Sequence, residues 1–153
     1  MNLSAHFTLE EFVESQTAAR RGIDNTPSPD AFDAMKDLCE AVLEPLREAL
    51  GPVRISSGYR CEALNRAIGG SGASQHCKGQ AADISVPGRS LAEVFNWIQA
   101  HADYDQLIRE FPPRGWVHVS YIKSGVVARK SSLLATIQDG RTVYTPWKGP
   151  VTT

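Results

Sequence analysis

At 153 residues, 42% hydrophobic and 22% charged, the chain is long enough for one globular domain over residues 1–153 with a single core. Its formal net charge of −1 speaks against a partner recognised by bulk charge, nucleic acid included. Its 3 cysteines, Cys39, Cys61 and Cys77, are odd in number and form no CxxC pair, which excludes a disulfide framework and a cysteine-built zinc knuckle.

The opening segment MNLSAHFTLEEF has neither a basic leader nor an apolar stretch of signal-peptide type. No run approaches the roughly 18 apolar residues that a membrane span needs. These features predict a chain made in the cytoplasm, where it stays unless something else releases it, with no membrane insertion; a monomer is expected. Thr8 and Glu11 make a capping box for a first short helix, with Phe7 and Phe12 placed as a hydrophobic staple. RRGIDNTPSPD reads as a connector. Ser28 then caps a longer helix with Pro29 at its first position. Phe32, Met35, Cys39, Val42, Leu43, Leu46 and Leu50 follow helical spacing and predict its buried face, with Pro45 kinking or ending the regular part.

Val53 to Ser57 reads as a strand and CEALNRAI as a short helix. GGSGAS is a flexible lead-in without the pattern of a phosphate loop. AADISV is the next strand, and Ser90 with Glu93 caps another helix. QLIREF and WVHVSYI follow as strands. The tail predicts a hairpin turning at Asp139-Gly140. Helices first and mostly strands later predict an α+β fold, helices packed on a small antiparallel sheet.

The most informative stretch is SGASQHCKGQAADISV with WVHVSY. It sets His76 seven residues before Asp83, too far for one helical face and suited to a loop leading into a strand. Small residues (Gly79, Ala81, Ala82) would let the chain come close to an ion. Alternation in WVHVSY sets Trp116, His118 and Ser120 on one face and the valines on the other. Two imidazoles and a carboxylate make a three-ligand zinc site with a fourth position open, the constitution of a hydrolytic centre. A lone strand histidine is nevertheless more often structural. Cys77 suggests a cysteine peptidase instead, but the adjacent His76 would point away from it.

The segments SGYR, SQHCKGQAADI and WVHVS resemble the motifs of the zinc D-Ala-D-Ala carboxypeptidase family, whose fold is shared with the hedgehog signalling domain. Ser74, His76, Gly79, Ala81, Asp83 and His118 match its S-x-H-x-x-G-x-A-x-D and distant-histidine pattern over a core of about residues 50–122. The opening FTLEEFVES further resembles small phage and prophage members. The resemblance implies zinc held by His76, Asp83 and His118, and hydrolysis of peptidoglycan stem peptides or cross-links. It implies a lysis or wall-penetration setting, free or virion-associated. Many members carry an acid two or three residues before the last histidine, where this chain has Gly115 and Trp116. Glu110, eight residues before His118, is the nearest acid, and a turn through PPRG would return it to the site as general base. The alternative is a surface pair with Arg109 or Arg114. Arg60, in SGYR, is the candidate for holding a carboxylate or an oxyanion. Ser74, Tyr59, Gln75 and Trp116 are candidates for substrate contact. His6 and His101 read as surface residues. The rival readings are a zinc-binding interaction module without catalysis and a virion structural component of the same fold.

Overall fold

The computed structural model describes residues 1–123 and 128–153. Thr8 and Glu11 exchange side-chain and backbone hydrogen bonds and open α1 (Leu9–Val13). A helix that the sequence reading did not anticipate, α2 (Gln16–Arg21), follows at once, capped by Ser15 and stopped by Gly22 in the left-handed region. Ser28 and Pro29 begin α3 (Pro29–Leu38). As expected, the regular helix is interrupted ahead of Pro45. Residues Cys39–Leu43 widen into a π-turn, in which Glu44 N–H reaches back to Cys39 O, and α4 (Glu44–Leu50) carries on. A proline has no N–H for the ordinary ladder, and the wider turn accommodates the missing bond. Met35, Leu38, Cys39, Val42, Leu43 and Leu46 are buried, while Phe32 and Leu50 pack at the margin of the core.

The strands are β1 (Arg54–Ser57), β2 (Ala81–Ser85), β3 (Gln106–Glu110), β4 (Trp116–Ser120), β5 (Ser131–Gln138) and β6 (Arg141–Pro146). Helix α5 (Glu62–Ala67), capped by the Cys61 thiol, and a 3-10 turn (Gln75–Lys78) lie between β1 and β2. Helix α6 (Leu91–His101) opens with the Ser90–Glu93 capping box. The strands form one six-stranded sheet in the order β1-β2-β4-β3-β5-β6. The fold is α+β, and the sheet is antiparallel except where β5 runs parallel to β3. β4 returns beside β2 on one side of β3, so β5 takes the other side. The β5–β6 hairpin turns at Asp139 and Gly140, both with positive φ as a two-residue turn of the primed type requires.

Period-2 alternation divides the sheet. Ala82, Ile84, Leu107, Val117 and Val119 face the helices and join one apolar cluster with Met35, Leu38, Val42, Phe95 and Ile98. Each large side chain buried there contributes about 1.5–3 kcal/mol. The opposite face carries the polar residues described next. Among the described residues no helix is long and apolar enough to cross a membrane.

Candidate active site

Asp83 on β2 and His118 on β4 are direct cross-strand partners, so their side chains leave the same face of the sheet. His76 arrives from the 3-10 turn. Ser74 caps that turn, its Oγ accepting from His76 N at 3.3 Å. Gly79 ends the turn at φ +71°, where a Cβ would overlap the Ala31 carbonyl. This corrects the sequence reading: Gly79 makes room for α3 rather than for an ion, and Ala82 belongs to the core face.

The three side chains converge. Asp83 Oδ1 lies 3.0 Å from His118 Nδ1 and 3.4 Å from His76 Nε2, and one donor atom from each residue lies within 4.8 Å of the others. Ligands at 2.0–2.1 Å in a tetrahedral shell stand about 3.3 Å apart, so the spacing fits zinc. His76 Nδ1 lies 2.7 Å from Gly58 O. A carbonyl only accepts, so Nδ1 donates, and Nε2 keeps its lone pair for the centre of the triad. Burial disfavours the Asp83 carboxylate, yet in the metal-free protein, where a ring proton of His118 or His76 can point at it instead of a cation, the two imidazoles hold its carboxyl well below the usual range. A carboxylate that stays ionised beside two imidazoles is the donor set that a divalent cation selects.

One residue pair along the same face, Glu110 on β3 stands opposite Trp116 on β4, next to the Ile108–His118 pair. The β3–β4 turn therefore does bring Glu110 beside the triad. Trp116 Nε1–H donates a short hydrogen bond to Glu110 Oε2. Burial and the negative charge of Asp83 push the Glu110 carboxyl above its ordinary value, with His118 and Trp116 opposing. A cation on the triad would also oppose the rise. The turn depends on Gly115, at φ +74°, where a Cβ would collide with the Glu110 carbonyl. Arg109 does not pair with the Glu110 carboxylate. It is fully buried on the helix-facing side of the sheet. Its guanidinium donates to the carbonyls of Glu110 (2.9 Å), Trp116 (3.3 Å), Pro113 (3.0 Å) and Thr153 (2.9 Å). Among the described ion pairs none involves Glu110 or Arg114.

The triad opens into a cleft of about 750 Å³ that Arg60, Ser74, Gln75, Glu110 and Trp116 also line. Arg60 Nη2 donates to Ser74 Oγ at 3.3 Å, and Arg60 Nε is buried without a partner. Gln75 is tied to Asp105, whose buried carboxylate also binds Arg129 at 2.7 Å. Tyr59 lies elsewhere than the sequence reading placed it. It is buried in the core and borders a neighbouring groove, because Tyr59 N–H bonds Phe12 O and turns the SGYR segment inward. Cys77 does not line the cleft, and burial pushes its thiol up, which removes the basis for a thiolate nucleophile. His6 pairs with Glu44, and His101 stacks on Trp97. Sequence reasoning missed Arg129, Phe111 and Tyr144 as lining residues. Phe111 and Tyr144 lie in or beside segments whose apolar pattern fits plain sheet packing equally well.

A mixed sheet that offers two imidazoles and a carboxylate in an open cleft, with a further carboxyl beside them, has the constitution of a zinc-dependent hydrolytic centre. The peptidase M15 family model matches residues 5–120, three quarters of the chain, and the protein belongs to that family of zinc-dependent enzymes. No curated protein matches the chain.

Proposed function

We propose that the protein hydrolyses peptide bonds in peptidoglycan stem peptides or their cross-links, as a phage or prophage enzyme of lysis or wall penetration. The observation that carries the reading is the juxtaposition of Glu110 with the His76–Asp83–His118 triad on one face of the sheet. Zinc, when held by these three residues, supplies Lewis acidity that polarises a carbonyl and makes water a nucleophile near neutral pH. Glu110 takes the proton of the attacking water and passes it to the leaving amine. Trp116 fixes one carboxylate oxygen of Glu110, a residue that lines the cleft. Arg60, steadied by Ser74, presents its fork to a substrate carboxylate or to the developing oxyanion. Gln75 and Trp116 form cleft wall. One domain, acting as a monomer, suffices for this chemistry.

Gly115 and Trp116 stand where many members of the family carry an acid, and a chain lacking that acid would fit a zinc-binding module without catalysis. Glu110 supplies that carboxylate from the partner strand, which favours the enzyme. Incubation of the zinc-loaded protein with purified peptidoglycan, followed by mass analysis of soluble fragments, should show new amino and carboxyl ends that a chelator prevents. Intact peptidoglycan after prolonged incubation with fully metallated protein would overturn the reading.

A further inference from the structure

The sheet order lays out the cleft from end to end. Arg60 follows β1, Asp83 lies on β2, His118 on β4 and Glu110 on β3, and two strands further on Tyr144 lies on β6. Trp116, Glu110, Ala135 and Tyr144 form one continuous cross-strand row, so all four leave the cleft face. Ala135, between Glu110 and Tyr144 in that row, is fully buried. Tyr144 lines the same cleft as Glu110, and the Glu110 charge adds to the burial that raises its phenol pKa. Yet Tyr144 remains 52% exposed. Ile137, two residues beyond Ala135 on the same face of the hairpin, is exposed as well. An aromatic ring at the cleft mouth with half its surface open is a contact surface without a contact. The hairpin that carries it, residues 131–146, lies outside the 5–120 segment that the family model matches.

We propose that Tyr144 forms a distal subsite, packing its ring against an extended peptide, and that the enzyme therefore prefers substrates reaching well beyond the cut bond over short terminal fragments. The inference rests on the peptidase reading above. Two strand spacings put β6 roughly 10 Å from β3. An extended peptide advances about 3.3–3.6 Å per residue, so about three substrate residues bridge Glu110 and Tyr144. The ring face makes the contact, because Tyr144 has no described hydrogen-bond partner that would fix its hydroxyl.

The test is kcat/KM on soluble stem fragments of increasing length, from a dipeptide to a cross-linked stem dimer, with zinc content measured in parallel. Wild-type kcat/KM should rise with length. Tyr144→Ala should lose about tenfold on the longest fragments while the shortest cleaved fragment changes less than about twofold. Tyr144→Phe should behave as wild type. An equal loss at all lengths would show a general defect of the hairpin and overturn the subsite. So would a length dependence that survives Tyr144→Ala, or a Tyr144→Phe variant as impaired as Tyr144→Ala. Wild-type protein that cleaves no fragment of any length would overturn the peptidase reading itself, and the subsite with it.

Discussion

The two faces of the central sheet come from the same strands and do opposite things. On β4, Val117 and Val119 are completely buried against the helices, while Trp116 and His118 between and beside them reach the cleft. On β3, Leu107 packs in the core, and Ile108 and Glu110 line the cleft. One face is uniform, apolar and helix-covered, and it makes the strand positions rigid. The other holds groups whose charge would be costly in that core and which are tolerated because they satisfy one another. Alternation therefore lets a five-residue strand contribute to stability and to chemistry with little interference, and substitutions on the two faces should separate into two classes.

The largest expected effect is on the cleft face. Asp83→Ala and His118→Ala should lower zinc from one per chain to nearly none and abolish turnover, while the chelated proteins stay folded by circular dichroism. Zinc that stays at one per chain in both variants would remove the triad from metal binding. Next, Glu110→Gln should lower turnover by about 10²–10⁴-fold with zinc unchanged. Loss of zinc in that variant would make Glu110 a ligand, and full turnover would remove it as the base. On the core face, Leu107→Ala should cost ~2–5 kcal/mol in a denaturant titration, with zinc binding kept by the folded fraction. A stable but zinc-free Leu107→Ala would mean that the faces are not independent.

That division was readable in the sequence because it is local. Alternation in WVHVSY set the histidine apart from the valines, and the PPRG turn between two strands returned Glu110 to the site, since a hairpin is a short-range structure. The hidden parts depend on distant contacts. Nothing near SSLLATIQ signals that β5 will lie parallel to β3, and that pairing is what brings Tyr144 to the cleft. Arg109 sits at a core parity, but an arginine in a strand ordinarily reads as solvent-facing. Its carbonyl partners are gathered by the folded turn and by Thr153, forty-four residues away. Pro45 was legible as a break in the regular ladder, but the form of the break, a π-turn one step earlier in the chain, was not.

The smallest effect concerns pH and runs in opposite directions for stability and activity. In chelated protein the folded pKa of Glu110 lies above its unfolded value. The contribution of Glu110 is fully present below about pH 4.3, the unfolded value, and fades as pH rises through the folded one. Chelated Glu110→Gln should therefore melt slightly higher than wild type at neutral pH, with the gap closing in acid. Turnover by the zinc-loaded enzyme should instead fall on acidification, as the base becomes protonated. A melting gap that widens toward acid would contradict the sign of the shift.

The anchoring of residues 151–153 has a practical side. Val151 exchanges two hydrogen bonds with the Asn96 side chain of α6, and Thr153 O receives Arg109 Nε at 2.9 Å, directly behind the turn that carries Glu110. A fluorophore, tether or surface linker attached at this spot would pull on the underside of the turn rather than on a neutral handle. An immobilised preparation should be coupled through another part of the surface.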